Sequence, residues 1–179
     1  MNILVISGGP RKHGRTAIAA RFIERTYGFH TVDLSIVDMP MYTGEEDQSS
    51  NPVVKSLRQS ILDADAVLLL SPEYHSAMSG ALKNRLDFLS STQFLHKSVG
   101  LIAMAGGGKG GINCLNNMRT VMRGVYANAI PRQLVLDPSV FDYDRDGLTK
   151  EAAEQVDGLI NELKMYARIA KEVKEQQLI

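Results

Sequence analysis

Residues 1–16, Met-Asn-Ile-Leu-Val-Ile-Ser-Gly-Gly-Pro-Arg-Lys-His-Gly-Arg-Thr, decide the fold. An unbroken apolar run from Asn2 to Ser7 stops at Gly8-Gly9-Pro10 and passes through basic residues. It then enters a segment, Thr16 to Tyr27, whose Ile18, Ala19, Phe22 and Ile23 recur at helical spacing. A strand apolar on both faces belongs inside a parallel sheet covered by helices on each side. Gly28 reads as the helix stop.

The same alternation continues down the chain. Thr31 to Val37 reads as a shorter strand, and Met39 to Asn51 as a loop. Asn51 and Pro52 supply the N-cap and first-turn proline of a helix running to about Ala64. Strands are then expected at Ala66–Leu70, Val99–Ala105 and Ala129–Leu136. Helices are expected at Ser79–Leu89, Ile112–Tyr126 and Thr149–Glu175, with Thr149 as an N-cap. The order βαβαβαβαβα over one domain, 1–179, makes this an α/β chain. The expected architecture is a flavodoxin-like, doubly wound, five-stranded parallel sheet of order 2-1-3-4-5 with helices on both faces.

Composition narrows the function. Lys plus Arg and Asp plus Glu both number 20, so the basic excess of a dedicated nucleic-acid binder is missing. Cys114 is the single cysteine, which rules out an internal disulfide and reads as a small buried filler. No run approaches the roughly 20 apolar residues of a membrane span, and the start of the chain lacks a signal-peptide pattern. The expectation is a cytoplasmic protein with neither nucleic acid nor membrane as partner. His13, His30 and His96 show no ligand spacing, so no metal site is expected. Ser71, Ser76 and Ser79 lie near His75, but no G-x-S-x-G elbow is present. Asp144, Asp146 and Gly147 faintly resemble a calcium loop but lack its spacing.

In such a sheet, ligands bind beyond the carboxyl ends of the strands, between the first and third. Three loops meet there. Gly8 to Thr16 leads from a strand into a helix N-terminus, where free N–H groups and the helix dipole attract phosphate. It contains neither a Walker A nor a G-x-G-x-x-G pattern. Ser71 to Gly80 brings Tyr74 and His75 beside a group of hydroxyls, where a flat aromatic ligand could rest. Gly106 to Gly111 holds five glycines around Lys109, at about 0.5–1 kcal/mol of backbone entropy each. Close approach to a planar ligand is one reason for such a loop; a tight turn is the other, and a second phosphate site would be a further use of it.

The segments S-G-G-P-R-K-H-G-R-T, S-P-E-Y-H-S-A-M-S-G-A-L-K-N-R-L-D and A-G-G-G-K-G-G resemble the signatures of the NADPH-dependent FMN reductase family. Within it the chain is similar to the FMN-dependent azoreductase and quinone- or chromate-reductase branch, from Met1 to about Asp137. The resemblance implies bound FMN, NADPH as donor, ping-pong electron transfer and a small-molecule acceptor: azo compounds, quinones, chromate or free flavin. It implies a cofactor site made of Ser7, Gly9, Pro10, Arg11, Arg15 and Thr16 around the phosphate, with Ser76 nearby. Pro72, Glu73, Tyr74 and His75 would lie along the ring, and Gly106, Gly107 and Gly108 on its pyrimidine side. Many relatives carry Ser or Asn in place of Arg15, and Asn in place of His75.

Because the flavin carries the chemistry, no side chain is expected to be strictly catalytic. Backbone N–H groups near Glu73 to His75 are expected to stabilise charge on the reduced ring. The competing reading is a flavodoxin-like electron carrier or redox-sensing module without NADPH turnover. The stripe Met78, Leu82, Leu86 and Leu89 is expected to serve partly as a subunit contact in a homodimer or homotetramer.

Overall fold

Five parallel strands, each running in register with its neighbour, form the centre of the molecule in the order 2-1-3-4-5. The computed structural model describes residues 1–108 and 110–176. Lys109, expected in the third loop, lies outside them. The strands are β1 (Ile3–Ser7), β2 (His30–Asp33), β3 (Ala66–Pro72), β4 (Ser98–Met104) and β5 (Asn128–Leu136). Every residue of β1, β3 and β4 is buried, which is why their sequences are apolar without alternation.

Strand parity sorts the core into two layers. Leu4, Ile6, Val67, Leu69, Val99 and Leu101 face one side, with α2 (Pro52–Leu62), α3 (Gly80–Asp87) and α5 (Ile112–Gly124). Ile3, Val5, Leu68, Leu70, Ile102 and Met104 face the other, with α1 (Arg15–Tyr27) and α6 (Lys150–Glu175). The expected doubly wound sheet with helices on both faces is therefore present.

Local signals account for most boundaries. Gly28 ends α1 in the left-handed conformation, φ 67°, which suits glycine. Asn51 caps α2, its side chain accepting from Val53 N at 2.9 Å, with Pro52 in the first turn. Thr149 caps α6 by accepting from Ala152 N at 3.4 Å. The second strand stops at Asp33, short of Val37, because Asp33 Oδ1 accepts from Ser35 N and turns the chain. Three pieces differ from expectation. Glu46–Ser50 forms a 3-10 turn inside the acidic loop. A short helix, α4 (Ser91–Phe94), is held by a Ser90–Gln93 capping box and buries Phe94. The Asp144–Gly147 segment belongs to a hairpin, β6 (Phe141–Asp142) and β7 (Gly147–Leu148).

β5 is an edge strand with a local irregularity. Its register with β4 jumps between Val99 and Leu101, from Ala129 to Gln133. Arg119 of α5 covers the displaced stretch, donating to the carbonyls of Ala129 at 3.2 Å, Ile130 at 2.6 Å and Pro131 at 3.0 Å.

Met78, Leu82, Leu86 and Leu89 are all buried in the chain's own core. The stripe expected to serve partly as a subunit contact is taken up by the core layer it shares with α2 and α5. No helix of the described residues is long and apolar enough to cross a membrane.

Candidate functional site

The carboxyl ends of β1, β3 and β4 bring the three glycine- and hydroxyl-bearing loops together, and buried hydrogen bonds lock them. Gly8 N–H donates to Leu70 O at 2.7 Å. A Cβ on Gly8 would stand 2.6 Å from that oxygen, so only glycine lets the first loop leave the sheet here. The Ser79 hydroxyl donates to Gly8 O, accepts from Leu82 N at 3.0 Å and so caps α3. Ser79 N–H in turn donates to Ser71 Oγ at 3.0 Å. Ser79 thus ties the first two loops together. Ser79, expected to start the helix, is its N-cap instead, as a serine before Gly-Ala-Leu-Lys signals.

The first loop ends in a bare helix N-terminus. Gly14 caps α1 with no side-chain hydrogen bond, and the first turn holds no acidic residue. Among the described residues, the N–H groups of Arg15, Thr16 and Ala17 have no acceptor in the chain. Arg11 is exposed and Arg15 half-buried, and neither makes a salt bridge among the described residues. Thr16 is buried against Gly9, where a Cβ would stand 2.8 Å from the threonine Cβ. Pro10 is exposed, and Ser7 is fully buried with its Oγ unpaired. Uncompensated N–H groups, two arginines and a positive helix end are the features that attract an anion.

The second loop folds into a two-residue hairpin turn. Tyr74 N–H donates to Ala77 O at 2.9 Å and Ala77 N–H to Tyr74 O at 3.1 Å. His75 and Ser76 between them take φ 49° and 63°, the positive values that such a turn demands and that glycine or asparagine would adopt more readily. Tyr74, His75 and Ser76 are exposed at the tip, whereas Pro72 is buried. The N–H groups of Glu73 and Tyr74 are already spent, Glu73 N donating to Met104 O at 3.0 Å. This corrects the expected use of backbone N–H groups from Glu73 onward: only those of His75 and Ser76 remain without a backbone acceptor among the described residues.

In the third loop Gly106, Gly107 and Gly108 are exposed, and a Cβ on any of them would meet nothing within 4 Å. None has the positive φ that would require glycine. Positive φ comes further on, at Gly111 with φ 96°, where a Cβ would strike Val135 at 2.6 Å. Folding thus explains Gly111 but not Gly106 to Gly108, which form an open ledge. The helix end behind the ledge is not free for a second phosphate: Glu73 Oε2 accepts from Cys114 N at 2.9 Å, placing a carboxylate at the N-terminus of α5. An anion there would face a like charge, which argues against the second phosphate. Cys114 itself is fully buried, and burial pushes its thiol up to about 11. It packs as the filler expected, its Sγ 3.9 Å from the carbonyls of Ser71 and Pro72.

A cleft of about 550 Å³ lies elsewhere, along the outer edge of β2 and lined by Val32, Leu34, Val53 and Leu57. It contains none of the three loops, and the chemistry of the strand ends outweighs its size.

A flavodoxin-like α/β domain with one bare helix N-terminus, a strained aromatic turn and a glycine ledge at the switch point defines a mononucleotide-type binding protein. Residues 1–141 match the model of the family described as NADPH-dependent FMN reductase, and the chain belongs to that family. It is accordingly an oxidoreductase, and FMN and NADPH are the cofactors its family specifies. The chain is 50% identical over 177 residues to an NADPH azoreductase of Bacillus sp. (strain OY1-2), covering 98% of each chain. It is 30% identical over 159 residues, 82% of each, to an FMN-dependent NADPH-azoreductase of Staphylococcus aureus (strain USA300). Its fold is similar to that of a flavoenzyme NAD(P)H:(acceptor) oxidoreductase from Paracoccus denitrificans, with a TM-score of 0.72 at 19% identity over 96% of this chain and 97% of that one.

Proposed function

We propose that this chain is an azoreductase-type enzyme that binds FMN at the three loops and uses NADPH to reduce small acceptors. Azo compounds head the acceptor class, with quinones, chromate and free flavin also admitted. The observation that carries the reading is the contrast between the two helix ends at the site: α1 is uncapped and α5 is capped by Glu73. A single monophosphate then has one place to bind, beside Arg11, Arg15 and Thr16.

The residues present fit FMN. The unpaired N–H groups of α1, with the Arg11 guanidinium, would hold the phosphate through charge-assisted hydrogen bonds. The ledge of Gly106, Gly107 and Gly108 would offer a flat ring open backbone, since among the described residues nothing beyond the adjoining ones comes within 4 Å of their Cβ positions. Pro72 stiffens the strand exit, and the Tyr74–Ala77 turn supplies the opposite wall, with the free N–H groups of His75 and Ser76 as donors. When bound, FMN accepts hydride from NADPH and passes electrons to the acceptor. The protein's part is to hold the ring, expose one side of it and leave the mouth wide. Tyr74, His75, Ser76 and the ledge are all exposed, which supports one shared face visited in turn by donor and acceptor, hence ping-pong kinetics.

The proposal includes a homodimer or homotetramer in the cytoplasm. Its support is apolar surface left outside the core at Leu95, Ile112 and Tyr126.

Flavin-fluorescence titration tests the site, and NADPH oxidation with an azo dye tests the reaction. We expect one FMN per chain, weaker binding of FAD, and dye bleaching that requires both FMN and NADPH. FAD binding as tight as FMN, or FMN-loaded protein that leaves NADPH untouched, would overturn the reading.

A further inference from the structure

The N-termini of α1 and α5 both open onto the strand-end loops, and the carboxylate on α5 comes from 41 residues earlier in the chain, at Glu73. Glu73 is anchored twice. Its backbone N–H donates to Met104 O, at the last residue of β4, and its side chain accepts from Cys114 N–H in the first turn of α5. The segment between these two anchors is the glycine ledge. Its internal bond, Gly110 N to Gly107 O at 3.0 Å, closes a turn whose Gly110 lies against the same carboxylate: a Cβ there would stand 3.4 Å from Glu73 Oε1. Among the described residues, nothing beyond the adjoining ones comes within 4 Å of the Cβ positions of Gly106, Gly107 and Gly108. The ledge has no side-chain packing of its own to fix its height.

We propose that Glu73 is a positioning residue for the flavin ring: its carboxylate pins the ledge to the N-terminus of α5 and sets its distance from the Tyr74–Ala77 turn. The inference rests on the FMN reading above. It also gives the carboxylate a second consequence. The partial positive charge of about half a unit at the N-terminus of α5 is already answered, so the phosphate is directed to α1. The backbone of Glu73 borders the ring while its side chain turns away to hold the ring's other support.

The geometry depends on reach. Gln has the same length and keeps an oxygen able to accept from Cys114 N–H. Asp keeps the charge but is one methylene too short to span both loops. The test is titration of FMN and riboflavin into wild type, Glu73→Gln, Glu73→Asp and Arg11→Ala, with amide hydrogen exchange at Gly110 and Cys114. Glu73→Asp should weaken FMN and riboflavin together by about tenfold, roughly the loss of one hydrogen bond to a charged group. Its Cys114 amide should exchange faster. Glu73→Gln should stay within about threefold of wild type for both ligands, since the acceptor is retained. Arg11→Ala should lose affinity for FMN alone.

Loss in Glu73→Gln as large as in Glu73→Asp would show that a neutral acceptor of the same reach does not suffice and would overturn the proposal. So would wild-type flavin binding in Glu73→Asp. If Glu73→Asp does not fold, wild type and Glu73→Gln still decide: the Cys114 amide must be protected in both, relative to Ile112 and Asn113 in the same turn. Wild-type protein that binds neither flavin defeats the FMN reading, whereas a protected Cys114 amide with flavin affinity indifferent to Glu73 defeats the positioning role alone.

Discussion

Arg21 and Asp146, 125 residues apart, are joined by a two-pronged bond, Nε to Oδ2 at 2.8 Å and Nη2 to Oδ1 at 2.5 Å. The same guanidinium donates through Nη1 to the carbonyl of Lys12 at 3.3 Å. One arginine on α1 therefore ties the β6–β7 hairpin to the loop after β1, and Arg25 adds a further bond to Asp146 at 2.9 Å.

Asp146→Asn should loosen this tie without disturbing the backbone, since asparagine tolerates the φ of 49° at that position. The hydrogen bond from Arg21, outweighing the burial that opposes it, holds the Asp146 carboxyl at about 2. An unfolded aspartate titrates near ~3.9, so the pair stabilises the fold above that value and the gain fades as pH falls from about 4 towards 2. Both side chains are over a third exposed, 37% and 40%, so the effect should stay below about 1 kcal/mol. Urea midpoints of wild type and variant should differ at neutral pH and converge on acidification. A constant gap would show that the charge is not what matters.

Arg11→Ala should weaken FMN by about tenfold or more, the worth of a charge-assisted hydrogen bond, and leave riboflavin almost unchanged. Riboflavin lacks the phosphate that the α1 end would hold. Equal loss for both ligands would place Arg11 in the fold rather than at the phosphate.

Gly107→Ala separates folding from binding. Nothing lies within 4 Å of the added methyl, and φ is not positive there, so thermal stability should hold or rise by about 0.4–1 kcal/mol. The methyl would stand on the ledge, and FMN affinity should fall at least about tenfold, or 1.4 kcal/mol. Unchanged affinity would mean the ring lies elsewhere. Gly111→Ala, which drives a methyl into Val135 at 2.6 Å, should instead destabilise the fold.

His75→Asn should preserve the turn, because asparagine accepts φ 49° more readily than histidine. If the flavin carries the chemistry, the rate of reduction by NADPH should fall less than about tenfold, under roughly 1.4 kcal/mol in barrier. Stopped-flow measurement follows reduction and reoxidation separately. A loss of about a hundredfold confined to acceptor reduction would make His75 an acid catalyst.

Elements whose cues are local could be read directly from the residues. Gly28, Asn51-Pro52 and Thr149 end or start helices through contacts within a few positions of themselves. The three loops were legible for the same reason, because an apolar strand followed by glycines announces its own exit. What escaped depends on partners far away in sequence. Glu73 reads as a ring-side residue until Cys114 is placed beside it. Asp146 reads as part of a failed calcium loop until Arg21 and Arg25 arrive from α1. The turn at Tyr74–Ala77 was hidden differently: its two positive-φ positions carry His75 and Ser76 rather than the Asn-Gly or Gly-rich pair that announces such a turn.

The Arg119 clasp on the carbonyls of β5 bears on how copies of this chain can meet. An edge strand ordinarily invites a passing strand to extend the sheet, the route to runaway fibrils. Here Pro131 offers no N–H, the bulged stretch is out of step with any straight partner, and its oxygens are already engaged. At the opposite border β2 offers only four residues. Both borders of the sheet are thus poor templates for a strand from another copy, and contact between copies is left to helices and loops.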